Sequence, residues 1–421
     1  MQARFGRLFG YDDPAMKPAH SGGWSHTLPR IEAHLALPGL KMTNALRRRI
    51  VVAGVALVAS LTAGTAPVRE FTSEKGPFRV VILVEGLERP WSLAFLPDGD
   101  LLITERPGRL RVVHAGKLDP QPVEGVPEVV AYDQGGLLDV ALHPQYATNG
   151  WLYLSYVAGG EGGIGTDVLR GRLRGHCLED VHVIFRMQPK TGKGHNFGSR
   201  LLFDRDGYLY VTLGDRGERD HAQRLADDLG KIVRLHDDGR VPNDNPFRGH
   251  PGARPEIFTY GHRNVQGLAL HPWTGVVWAH EHGPQGGDEV NVIRAGTNYG
   301  WPVITYGREY DTGEPIGEGT QKAGLAQPVH FWAPVSIAPS GMAFYDGDRF
   351  PRWRGDLFIG ALRGQMLVRL ELDGEKVIRE ERLLQKVLGR IRDVRVGPDG
   401  LVYLLTDSKQ GILARLEPLS P

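Results

Sequence analysis

His195 stands in the segment GKGHNFGSR (192–200), a histidine set among small, flexible residues immediately before an apolar run. That run, LLFDRDGYLYVTL, ends in Gly-Asp, so Asp215 closes the same unit. If the two ends of the unit meet on one face, Asp215 can orient the His195 imidazole. A histidine with a carboxylate behind it is a general-base arrangement, because its pKa lies near working pH. The plainer readings are a surface histidine in a loop and an aspartate that caps a turn.

Other segments carry cations and oxygen ligands. In EIFTYGHRNVQGLAL (256–270), Arg263 offers a planar fork for carboxylates and Asn264 can both donate and accept. The same pair also suits a corner that hydrogen-bonds one structural unit to the next. In HEHGPQGGDEVNVIRAGTNYGWP (280–302), the turn GPQGGDE brings backbone carbonyls and two acids together. Such hard oxygen donors suit Ca2+ better than zinc, and no third ligand accompanies His280 and His282 at useful spacing. A purely structural acidic turn is the alternative. Arg363 follows in GALRGQ, and Arg390 and Arg392 in LGRIRDV. Residues at i and i+2 of a strand share a face. Two guanidinium groups there repel unless an anion lies between them, either a small polycarboxylate or acids from neighbouring units.

These residues need a scaffold, and six internal repeats supply it. Each is an apolar strand, a turn with Pro or Asp-Gly, and a second apolar strand, at 91–105, 137–156, 199–215, 265–281, 340–361 and 391–407. Matching positions Phe95, Leu142, Phe203, Leu270, Phe344 and Val396 are 47, 61, 67, 74 and 52 residues apart. Six hairpin-centred units with β-rich spacers predict an all-β, six-bladed β-propeller, which hides strand edges by radial repetition. The insertions vary most around 215–265 and 285–340, and long loops on one face of a rigid scaffold are where function sits. The only tempting helical period, 221–235, is interrupted by Gly230. GEGGIG (160–165) matches a dinucleotide-binding pattern but precedes a second strand instead of a helix, so it reads as a hairpin loop.

Composition narrows the class. The 421 residues include 56 Gly and 29 Pro, fitting many turns, and the net charge of +1 argues against a nucleic-acid binder. The single cysteine, Cys177, excludes an internal disulfide framework. From Met42, a basic triplet (Arg47, Arg48, Arg49), an apolar stretch to about Leu61 and small residues at 64–66 have the layout of a secretory signal peptide. The expected organisation is an over-extended start over 1–41, a signal peptide over 42–66, and one propeller domain over 67–421. A membrane anchor competes with cleavage, but the apolar stretch is short for a span. The mature chain is expected to be periplasmic or secreted, free of the membrane, and a monomer or homodimer.

Taken in order, DQGGLL, GHNFGSR, TLGD, GHRN, HGPQGGDE, NYGWP, ALRG and GRIRDV resemble the soluble pyrroloquinoline-quinone (PQQ) aldose and glucose dehydrogenases from about Leu87 onward. The resemblance implies a six-bladed propeller that oxidises an aldose at C1 to a lactone and passes electrons to an external acceptor. His195 would be the general base, Asp215 would hold it, and Gln134 would touch the substrate. Arg263 and Asn264 would contact the quinone oxygens. Arg390 and Arg392 would pair with the cofactor carboxylates, with Arg363 at the neighbouring basic position. The carbonyls of Gly283 and Pro284 would ligate Ca2+, and Glu289 with the Tyr299 carbonyl would form part of a second, structural calcium site. Two departures stand out: Arg363 replaces a lysine of glucose dehydrogenases, and Gly194 replaces an acid before the histidine. Trp332 is the nominal pocket aromatic. The competing functions are a calcium-dependent propeller lactonase or esterase without quinone, and a non-enzymatic binding propeller.

Overall fold

Strand formation follows the repeats. In each, alternating apolar residues make two adjacent strands, and a glycine at positive φ turns the chain between them, as at Gly207 (φ 82) and Gly400 (φ 74). The structure, a computed structural model, describes residues 69–419. The segments read as an over-extended start and a signal peptide lie outside the described residues.

Six antiparallel sheets result. Five are four-stranded meanders covering residues 90–118, 137–186, 198–260, 265–332 and 339–383 in chain order. The sixth has five strands: Ile391–Val396, Val402–Thr406 and Gly411–Pro418 are completed by Gly76–Leu87 and Arg69–Ser73 from the start of the described chain. Pairing of Gly76–Leu87 with Gly411–Pro418 closes the ring. The fold is the predicted six-bladed β-propeller, and the six repeats are the two inner strands of its six blades.

The inner strands are tied by buried charge as well as apolar packing. Asp139 accepts from Leu201 N at 2.8 Å and from Arg395 at 3.0 Å. Arg200 reaches Asp393 at 2.9 Å and the Gln266 carbonyl at 2.8 Å, and its guanidinium lies 4.2 Å over the Trp91 ring. Asp393 also accepts from Leu93 N at 3.0 Å. Five blades are thereby laced at the axis, and Arg200, although it follows His195 closely, is a fastener.

Two local readings resolve simply. Strands Trp151–Gly160 and Gly163–Arg174 pair down to Gly160 and Gly163, so GEGGIG is a tight hairpin. The stretch 221–235 is not a helix: a 3-10 turn, Arg219–Gln223, gives way to the buried strand Lys231–Leu235, with Gly230 at φ 71 between them.

Within an antiparallel blade, the connection entering the first strand and the one leaving the second open on the same face. Gln134, His195, Arg263, Asn264 and Arg390 lie on entering connections; Asp215, Gly283, Pro284 and Arg363 lie on leaving ones. One face of the propeller therefore carries most of the candidate residues.

Candidate active site

The His195 loop is gripped from three sides. Gln134 donates its backbone N–H to the Gly194 carbonyl at 3.0 Å, and its Oε1 accepts from Asn196 N at 3.0 Å. It clamps the chain immediately before and after His195. Buried Arg216 donates from beneath to the carbonyls of His195 and Lys193 and stacks 3.5 Å over the Phe197 ring. Asn196 takes a left-handed conformation (φ 55), which turns its amide to Asp215.

Asp215 does not hydrogen-bond His195 among the described residues, contrary to the expected direct hold. Its Oδ1 accepts from Asn196 Nδ2 and Gly217 N, both at 2.8 Å, and its Oδ2 accepts from Trp301 Nε1 at 2.8 Å. Those three donors occupy the buried carboxylate, so its hold on the imidazole passes through Asn196. The imidazole itself lies against Gly217, where an added Cβ would fall 2.6 Å from Nε2. Burial lowers the His195 pKa; the nearby carboxylates of Asp133 and then Asp215 oppose this, while Arg216 and Arg263 reinforce it. The half-buried ring is consequently neutral at pH 7, the form a base requires.

At the entry to the sixth blade, Arg390 donates twice to Asp407 Oδ2, at 3.2 and 3.0 Å. Arg392 meets the same oxygen at 3.3 Å and Gln266 Oε1 at 3.1 Å. Burial would raise the Asp407 pKa, but Arg392 and Arg390 outweigh it and hold the carboxylate well below its usual range. Burial presses Arg392 down to about 10, against the pull of Asp407 and with the help of Arg390 and Arg106. Arg106, which leaves the first blade's second strand, also feels Arg89 and Arg390. Three guanidinium groups, Arg390, Arg392 and Arg106, thus share Asp407, and Arg392 Nε is buried without a partner among the described residues. The cluster has room for anionic charge and suits a small polycarboxylate such as PQQ. Exposed Arg363 makes no side-chain hydrogen bond or ion pair among the described residues.

Arg263 donates to the carbonyls of His282 and Gly283, at 3.2 and 2.7 Å, and lies 5.6 Å from the Trp301 ring. The Gly283 carbonyl expected to face Ca2+ is therefore already bonded to a guanidinium; its second lone pair remains for a metal. Asn264 Oδ1 accepts from Gly198 N at 3.0 Å, so it also joins two blades. Of the two acids in GPQGGDE, Asp288 is saturated by Gly283 N, Ser336 Oγ, Ile337 N and Ala338 N. Glu289 is not: its carboxylate's one hydrogen-bond partner among the described residues is Asn291 at 3.4 Å, and burial together with Glu281 pushes its pKa well up. Glu281, Glu289, Tyr299, Thr305 and Trp301 line one small pocket. Two buried carboxylates there fit a hard cation, which would remove their mutual repulsion. Among the described residues no three or more His, Cys, Asp or Glu side chains converge, so backbone oxygens such as the Tyr299 carbonyl would complete the shell. His282 Nε2 is held by the Pro339 carbonyl at 2.6 Å, and His280 is buried apart, which removes the zinc reading.

Trp332 is not a pocket residue. It is 4% exposed, and its indole donates to Glu380 Oε2 at 2.9 Å across the fourth and fifth blades. Tyr132 lies against Gly194 beside His195 instead, and Trp301 bonds Asp215.

The comparisons agree with this geometry. The family model described as Glucose / Sorbosone dehydrogenase matches residues 87–415, and the chain belongs to that family of oxidoreductases. The aldose sugar dehydrogenase YliI of Escherichia coli (strain K12) is 47% identical over 344 residues, covering 80% of this chain and 92% of that protein. A crystal structure of a glucose dehydrogenase superposes with a TM-score of 0.79 at 54% identity, covering 81% of this chain and 99% of that one. The PQQ-bound aldose sugar dehydrogenase of Streptomyces coelicolor gives a TM-score of 0.66 at 30% identity, covering 80% and 98%.

Proposed function

We propose that the chain oxidises aldose sugars at C1 to lactones, with PQQ and Ca2+ bound at the loop face. One observation carries the reading. A neutral, clamped His195 shares that face with three arginines, Arg390, Arg392 and Arg106, gathered on the one buried carboxylate of Asp407. The PQQ-bound relative and the family membership support it.

Bound PQQ supplies a hydride-accepting quinone, and Ca2+ supplies Lewis acidity at its carbonyl oxygens. The residues of this chain do the rest. Arg390, Arg392 and Arg106 would hold the cofactor carboxylates, and Arg363 would add charge at the rim. Arg263 and Asn264 would contact the quinone. The carbonyls of Gly283 and Pro284 would take the catalytic Ca2+, and Glu289 with the Tyr299 carbonyl a structural one. His195 removes the proton from the C1 hydroxyl as the C1 hydride departs, leaving the lactone. Gln134, with its Oε1 engaged by Asn196, has its amide N–H groups left for the sugar. Residues 42–66 would export the chain to the periplasm or medium, where an external acceptor takes the electrons from a monomer or homodimer.

The test is an absorbance titration of purified protein with PQQ, with and without Ca2+, followed by an aldose panel and an artificial electron acceptor. Bound quinone that an aldose reduces, dependent on Ca2+, supports the reading. Quinone that binds but is reduced by no aldose overturns it.

A further inference from the structure

Gly194, next to His195, has no room for a side chain. A Cβ there would fall 2.7 Å from Asp133 Cβ and 2.7 Å from Tyr132 Cε1. Two residues of the preceding blade connection therefore occupy the space beside His195. Their placement is built: Gly135 N donates to the Tyr132 carbonyl at 2.8 Å, and Gln134 N to the Gly194 carbonyl at 3.0 Å. Asp133 is exposed and makes no hydrogen bond or ion pair among the described residues. It nonetheless sits at φ 52, in the left-handed region that glycine adopts freely. Its carboxylate, within the electrostatic reach of His195, Arg106 and Arg216 yet hydrogen-bonded to none of them, is left free to accept from a ligand. Tyr132 is 61% exposed and engages no other ring among the described residues.

We propose that Asp133 and Tyr132 form the sugar-reading wall of this site, the carboxylate accepting from the C2 hydroxyl while the ring covers the sugar's C–H face. The inference rests on the aldose-dehydrogenase reading above. If His195 acts on the C1 hydroxyl, a carboxylate beside it reaches the adjacent hydroxyl, and an ionised acceptor makes a strong hydrogen bond there. A tyrosine ring is a flat amphipathic surface suited to the other face. The charged groups around His195 are Asp133, Asp215, Arg216 and Arg263.

The test compares wild type with Asp133→Gly, Asp133→Asn and Tyr132→Ala, each loaded with PQQ and Ca2+. Asp133→Gly suits the backbone and should keep Tm, yet lower kcat/KM for glucose by about ten- to a hundredfold. Wild type should prefer glucose to 2-deoxyglucose by a similar factor, and Asp133→Gly should bring that ratio near one. Tyr132→Ala should raise KM for both sugars alike. In cofactor-free protein, the His195 ring titration read by NMR should move to lower pH in Asp133→Asn. Aldose oxidation with a glucose preference that survives Asp133→Gly, or an unmoved His195 midpoint, overturns this inference and leaves the parent reading standing. A wild type that oxidises no aldose overturns both.

Discussion

Asp215 and Trp301, 86 residues apart in the chain, meet at 2.8 Å between carboxylate and indole N–H. With its other oxygen on Asn196 and Gly217, Asp215 ties the loop before one blade to the insertion of the next. His195 is thus positioned at second hand, by a carboxylate that never hydrogen-bonds it.

Asn196→Ala tests that route. It removes the amide that links Asp215 to the His195 loop and should lower kcat by about tenfold, a loss of ~1.4 kcal/mol of transition-state positioning. KM for the sugar should change little. Steady-state kinetics decide it; an unchanged kcat would mean that the loop needs no such brace.

The acid limb of the pH profile follows from the sign of the His195 shift. Its pKa is lowered from the ordinary histidine value of 6.5, chiefly by burial. The base form is retained below pH 6.5 and lost as pH falls through the lowered value. The kcat/KM profile should therefore rise with pH and level off before neutrality, with its midpoint under 6.5. Asp215→Asn removes a carboxylate that opposes the shift, so its midpoint should fall further.

Arg390 and Arg392 share Asp407 but differ in burial. Exposed Arg390→Ala should weaken PQQ binding about tenfold with little change in Tm. Buried Arg392→Ala should weaken it at least as much and also lower Tm, because it leaves Asp407 with exposed Arg390 as its hydrogen-bonded cation and Gln266 Oε1 without a donor. Quinone titration and thermal unfolding, run side by side, separate the two effects.

Arg200 gives a stability prediction free of the chemistry. Arg200→Met strands two buried carboxylates, Asp139 and Asp393, with Arg395 as their remaining cation. The expected cost is about 3–5 kcal/mol in chemical denaturation. A loss under ~1 kcal/mol would show that the ring of blades closes without this lacing.

The propeller was readable because its repeat is covalent pattern: strand, a turn with Pro or Asp-Gly, strand, six times. The same register held clues to the site that single motifs do not disclose. Four of the repeats end in an acid, at Glu105, Asp215, Glu281 and Asp407, where each second strand reaches the loop face. Three of these proved to organise the site, and Arg106 stands one residue beyond the fourth. Partner choice was not readable. Nothing local tells that Asp215 faces Trp301, that Arg263 takes the Gly283 carbonyl, or that Trp332 turns to Glu380. Those pairings depend on how neighbouring blades rotate against each other. Gly194 reads as a missing acid in sequence, whereas in space it makes room for Tyr132 and Asp133.

The central claim is that His195 is the base for aldose oxidation, and single-turnover reduction of bound PQQ by glucose tests it most directly. His195→Ala should bind the cofactor normally, by its absorbance, yet reduce it about a hundred- to ten-thousandfold more slowly than wild type. Reduction at the wild-type rate in His195→Ala would contradict the account.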